Sequence, residues 1–311
     1  MDIKAAKKYL EVMRRAIDLF EKAIDGGDLP ALTALTTAAQ VVAEPVPEPQ
    51  IDPHKAARQI HIKALMDIDC WPKAVLSSIE NESVTTTDLI DRAKACLDAC
   101  LTKPIEGLSV LDFGCGDGYV AKDAIWREAN SYGFDVIEYP EWKDSEGVKF
   151  TTNIDDFTNG MFDVIFLFDV IDHCVDAENI MRQIRRLLKP NGVVHVRCHP
   201  WTSLHAVHLA KQGLNKAFIH LFLTTDELKE LGYDPMFTRN EKNPLVAYRW
   251  FFHDFIIKKE NITRIPISDF FLVPAFKELL INEQQIPTDR KDGFFKDMEI
   301  IYADYTLTLP T

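Results

Sequence analysis

The stretch VLDFGCGDGYV, from Val110 to Val120, constrains the chain most. An apolar run enters glycines at every second position, Gly114, Gly116 and Gly118, with Asp112 two residues before the first. Glycine permits positive φ and close approach of backbone to a ligand. A helix opening near Tyr119 presents free N–H groups at its start. A dinucleotide turn spaces its glycines G-x-G-x-x-G, so that a pyrophosphate docks on the following helix. Here the spacing differs, and an acid at the strand end repels a pyrophosphate and favours an ammonium group. A plain tight strand–helix turn is the alternative reading.

The surroundings give this turn an architecture. Short apolar runs, SVLDFG, SYGFDVI, GVKFTT, FDVIFLFDV and GVVHVRC, alternate with amphipathic helical stretches such as DAENIMRQIRRLLK. That alternation predicts an α/β fold, a doubly wound, mostly parallel sheet covered on both faces. Ligands in such sheets sit beyond the carboxyl ends of the strands. VAYRWFFHDFII and DMEIIYADYTLTL are aromatic and β-branched, and predict an antiparallel C-terminal edge. The Pro-interrupted ITRIPISDFFLVPAFKELL between them reads as an insertion.

The N-terminal third reads as helical. Ile3, Ala6, Leu10, Met13, Ile17, Phe20 and Ile24 form a heptad seam, so residues 1–42 are a helical hairpin or an oligomerisation segment. AEPVPEPQIDP, 43–53, is a stiff linker. Helical patterns resume over 54–105, with a Thr cap before the last, and the α/β domain occupies 106–311.

The second strand ends in Asp135, 17 residues past Gly118, where a carboxylate accepts hydrogen bonds from both ribose hydroxyls. A ribose without a pyrophosphate, beside an ammonium, describes S-adenosylmethionine better than NAD. Residues 108–200 resemble class I S-adenosylmethionine-dependent methyltransferases, of the group that includes ubiquinone- and menaquinone-type enzymes. The [DE]-x-G-x-G-x-G motif falls on Asp112 to Gly118, and the ribose acid on Asp135 with Val136 as adenine wall. The adenine-facing position falls on Asn153 and Ile154. FDVIFLFDVIDH places Phe168 and Asp169 beside the cofactor and His173 at the mouth, and LLKPNGVVHV matches the turn into the fifth strand. The resemblance thus implies a cofactor site of Asp112, Phe113, Gly114, Gly116, Gly118, Tyr119, Asp135, Val136, Asn153, Ile154, Phe168 and Asp169. The chain departs from the pattern at Asn153 for Asp, Asp172 for Glu and Asn191 for Gly. Asp155 and Asp156 read as solvated turn acids.

Methyl transfer is an in-line displacement in which positioning does much of the work, and a base is needed only for a nucleophile of high pKa. His173 and His199 are the candidate bases, and Trp201 a wall of the acceptor pocket. A metal reading of His195, His199, His205 and His208 is disfavoured because His195 lies inside a strand. No Asn-Pro-Pro-Tyr or Pro-Cys follows the fourth strand, and the net charge of −13 opposes a non-specific grip on nucleic acid. The one basic cluster, RQIRRLLK, reads as a solvated helix face. A small-molecule acceptor leads, a protein or RNA acceptor comes second, and a non-catalytic cofactor-binding fold with an assembly role is the other class. Six cysteines without a C-x-x-C pair, no signal peptide and no long apolar run lead to the expectation of a reduced, cytoplasmic protein without a membrane span.

Overall fold

The computed structural model describes residues 53–68, 71, 73, 84–174, 176–204, 209–234, 249–265, 274–284 and 291–310. The heptad segment, the helix towards Val42, nearly all of the linker, and His205 and His208 lie outside the described residues.

The apolar runs become seven strands: β1 (Ser109–Phe113), β2 (Asn130–Phe134), β3 (Lys149–Thr151), β4 (Phe162–Phe168), β5 (Leu188–Cys198), β6 (Ile256–Arg264) and β7 (Ile300–Thr308). They form one sheet in the order β3-β2-β1-β4-β5-β7-β6. The first five are parallel, and β7 runs antiparallel to both β5 and β6. The expected doubly wound sheet with an antiparallel edge is therefore present.

The helices of the described chain are α1 (Pro53–Met66), α2 (Thr86–Cys100), α3 (Tyr119–Trp126), α4 (Ala177–Leu187), α5 (Thr225–Glu230), α6 (Pro274–Glu283) and α7 (Lys291–Met298). Thr85 caps α2 in a reciprocal box: its hydroxyl accepts from the Asp88 N–H, and the Asp88 carboxylate accepts from the Thr85 N–H. In α4 the Met181, Ile184 and Leu187 side chains are buried while Arg182 and Arg185 face water, so the basic run is solvated in part: Arg186 donates to the Phe157 and Ile154 carbonyls, and Lys189 pairs with Asp163. The Lys-Pro-Asn-Gly turn after it loops out of register, five residues of β5 passing two of β4.

One strand differs from expectation. Within VAYRWFFHDFII the described residues 249–255 are not strand; β6 begins at Ile256 and continues through Lys258, Lys259 and Glu260. Phe252 and Phe255 instead pack into the sheet core. An edge strand is selected by pairing with its neighbour, and exposed charges suit it because they discourage further pairing. Apolar content therefore misplaced it.

Three apolar cores result among the described residues. One joins the sheet residues Leu111, Ile165, Leu167, Val196 and Leu307 to α4. Another is helical, gathering Ile62 and Leu65 of α1 with Trp71, Phe218, Leu221, Phe222 and Leu228, and the third packs Leu97 of α2 and Ala124 of α3 against Val110, Val164 and Phe166.

Candidate active site

The turn after β1 is held by backbone bonds, the N–H groups of Gly114 and Cys115 both donating to the Phe134 carbonyl at 2.7 and 2.9 Å. Gly114 has φ +75°, and a Cβ there would lie 2.4 Å from Val170 Cγ2. Only glycine lets β1 pass the segment after β4 so closely. Asp112 is buried at the end of β1, its carboxylate accepting the Ala121 N–H at 3.2 Å. Burial pushes its pKa up to about 7, because few groups solvate the charge.

From this turn a cavity of about 590 Å³ extends across the carboxyl ends of the strands. Asp112, Gly114, Gly116 and Tyr119 line it on one side, and Phe168, Asp169, His173 and His199 on the other. Helix α2 covers it with Leu89, Arg92 and Cys96, and β7 closes it with Ile301 and Tyr302.

The wall at β4 and β5 is a charged network. Asp169 adopts φ +56°, its N–H donating to the Arg197 carbonyl at 2.9 Å. Its carboxylate pairs with Arg92 and lies 3.3 Å from His199 Nε2. His199 Nδ1 lies 2.6 Å from the Ile301 carbonyl. A carbonyl only accepts, so Nδ1 carries a proton, while Nε2 faces the Asp169 carboxylate as an ion pair. The Asp169 bond and charge outweigh burial, which acts the other way, and raise the imidazole to about 9. Asp169 is held well below the usual carboxylate range despite burial, by His199, Arg92 and Arg197. Asp172, whose Oδ2 accepts the His199 backbone N–H at 3.1 Å, is pushed up by its burial. Arg197 donates from Nε to Asp304 at 2.7 Å, and its guanidinium sits 4.5 Å from the Tyr302 ring centroid.

Several expected residues lie outside the cavity. Asp135 accepts N–H bonds from Gly116 at 2.9 Å and Ile137 at 3.3 Å, one strand away from Asp112. Val136 beside it is 78% exposed. Asn153 turns its side chain onto Asp155 and Asp156, Ile154 packs against the sheet core, and Gly118 caps α3. These residues follow β2 and β3 as a shelf beside the cavity. Two readings are corrected. The Phe113 ring is buried against Phe134, with centroids 4.9 Å apart, so its side chain belongs to the core. Trp201 is buried in the helical core, edge-on to His220 at 4.4 Å, and does not wall the cavity. The Asp169 charge, which raises the His199 imidazole to about 9, also weighs against a base role for it.

Sequence reasoning missed Arg92, Arg197, Lys211 and Tyr302, all of which line the cavity. Arg197 was legible in principle, being two residues before His199 and so on the same face at a strand end. Arg92 was not, since nothing local says where α2 docks.

A mostly parallel sheet with a glycine turn after β1, a carboxylate after β2 and an antiparallel final pair is the architecture of class I S-adenosylmethionine-dependent methyltransferases. Comparison with known proteins agrees. A family model described as a methyltransferase domain matches residues 86–234. Ubiquinone biosynthesis O-methyltransferase of Caulobacter vibrioides is 30% identical over 138 residues, 37% of this chain and 50% of that protein. The Azorhizobium caulinodans protein of the same name is 26% identical over 114 residues, 32% of this chain and 43% of that one. Among solved structures, an S-adenosylmethionine-dependent methyltransferase from Mesorhizobium loti overlays with a TM-score of 0.43 at 16% identity, covering 70% of this chain and 99% of that one. The chain thus spans about half or less of the length of these curated relatives. Residues 86–234 thus match a methyltransferase domain, and what this part of the chain resembles is the class I S-adenosylmethionine-dependent methyltransferases.

The residues fit that cofactor. Asp112 offers a buried carboxylate to an ammonium, Gly114 and Gly116 leave room for close approach, and Asp135 with the exposed Val136 offers a polar and an apolar contact to a nucleoside. Among the described residues no cluster of His, Cys, Asp and Glu is arranged to hold a metal. No helix there is long and apolar enough to cross a membrane.

Proposed function

We propose that this chain transfers a methyl group from S-adenosylmethionine to a small-molecule acceptor seated at the ends of β4 and β5. The observation that carries the reading is a single cavity joining Asp112 and the glycine turn to His173 and the charged wall. When bound, the cofactor supplies a methyl group activated by a positively charged sulfur. Asp112 holds the ammonium end, and the N–H groups on Asp135 give way in part to ribose hydroxyls. Helix α2 and Tyr302 exclude water. Of the two candidate bases His173 is the better placed, because the Asp169 carboxylate beside His199 holds it in its protonated form. The relatives named for ubiquinone synthesis favour a small acceptor.

The test is transfer from methyl-labelled cofactor into fractionated cell extract. Label in the small-molecule fraction supports the reading. Label in protein or RNA overturns the acceptor class, and binding of S-adenosylhomocysteine without any transfer favours a non-catalytic role.

A further inference from the structure

The cavity is electrically lopsided. Its acids at the glycine turn are Asp112 and Asp117, while Arg92, Arg197, His199 and Lys211 line it from α2, β5 and the 209–212 turn. β1 and β5 are two strands apart, roughly 10 Å, so the two signs occupy different ends. In a chain of net charge −13 four cations on one wall are not background. Three carboxylates answer the four cations: Asp169, shared by Arg92 and His199, Asp304 on Arg197, and the buried Asp172 beside His199. Lys211 is exposed and makes no hydrogen bond or ion pair among the described residues. The wall therefore carries an excess of positive charge facing the space where an acceptor sits.

We propose that the methyl acceptor carries an anionic group, a carboxylate or phosphate, which docks between Arg197, His199 and Lys211. This rests on the methyl-transfer reading, and it adds a substrate class to it. The guanidinium and imidazolium are fixed by Asp304, Asp169 and Ile301, so they present charge without reorganising. Lys211, on an exposed turn, closes onto the anion as a flexible third contact. The cofactor's own carboxylate is a second anion in the same cavity, so the titration is run with and without S-adenosylhomocysteine.

The test is calorimetric titration of the full chain, with and without saturating S-adenosylhomocysteine. The probes are 3,4-dihydroxybenzoate and indole-3-acetate beside their methyl esters, and phenyl phosphate beside phenol. We expect at least one anion to bind about tenfold or more tightly than its neutral partner, a preference that fades with added salt. Lys211→Gln, an exposed change that leaves the fold alone, should weaken that anion by about tenfold and leave S-adenosylhomocysteine unchanged. No anion binding, equal binding of the neutral partners, or an anion preference that ignores Lys211→Gln overturns the proposal. Lys211→Gln weakening only S-adenosylhomocysteine also overturns it, by assigning the cations to the cofactor. Anion preference without any S-adenosylhomocysteine binding supports the anion subsite and instead overturns the methyl-transfer reading.

Discussion

Asp112 is a buried acid whose value depends on its partner. Without a cation beside it, burial raises its pKa to about 7, so below that pH it is increasingly protonated and must lose the proton to bind an ammonium. Cofactor affinity should therefore fall as pH drops below about 7, by up to tenfold per unit, and Asp112→Asn should abolish the dependence with a loss of tenfold or more. The sign for stability is opposite. The unfolded acid ionises near 4 and the folded one near 7, so stability is lost as pH rises between them. Asp112→Asn should thus stabilise the free protein above pH 7, by up to a few kcal/mol. Calorimetry and thermal melts across pH 5–8 check both. For His199 the folded pKa near 9 exceeds the unfolded value. Its contribution is complete below about 6.5 and lost as pH rises through 9. The melting temperature should fall over that window in the wild type and stay flatter in His199→Gln. If His173 is the base, His173→Gln should slow turnover by about 100-fold with S-adenosylhomocysteine affinity intact; unchanged turnover would leave positioning alone as the account.

At the scale of elements, the glycine turn and α2 make separable predictions. Gly114→Ala drives a Cβ to 2.4 Å from Val170, whereas at Gly116 an added Cβ meets nothing within 4 Å. Both have positive φ, so Gly116→Ala should cost about 1 kcal/mol of backbone strain, and Gly114→Ala that and the clash together. Chemical denaturation of the two variants should rank them clearly; equal costs would mean that the segment after β4 yields to the methyl group. Thr85→Ala should cost about 1 kcal/mol through loss of the capping box, loosening the first turn of the helix that carries Arg92. The turn and strands β1 to β5 were legible because sharp local chemistry marks them: alternating glycines, an acid at a strand end, Pro-Asn-Gly after a helix. Trp201 and Phe113 were misread because aromatic type says nothing about facing. Phe113 alternates with Asp112 along β1, and only the pairing with β2 shows which face is core. β6 was misplaced because an edge strand's signal lies in its partner.

On the scale of the whole molecule, the cavity lies between the strand ends and α2, apart from the helical core, and one side chain ties that core together. Arg58 of α1 donates to Glu227 of α5 at 2.6 and 2.8 Å, to the Phe222 carbonyl at 2.9 Å, and pairs with Glu283 of α6 at 2.6 Å. His61 Nε2 stands 3.8 Å from Glu283 but burial, then Arg58, push its pKa down to about 4, so it is neutral at pH 7. Arg58→Met would leave two half-buried carboxylates without their cation. Breaking a buried pair costs about 3–5 kcal/mol, and the partial exposure here reduces that to about 1–3 kcal/mol. The loss should be local. Hydrogen exchange should quicken at 219–231 while β4 and β5 keep their protection, and S-adenosylhomocysteine affinity, which depends on the sheet ends, should hold. Removing Arg58 also removes a charge that suppresses His61, so His61 protonates more readily and replaces part of the lost cation. The deficit relative to wild type should therefore shrink as pH falls from 7 towards 5. Equal acceleration of exchange in helical core and sheet would show instead that the two unfold as one unit.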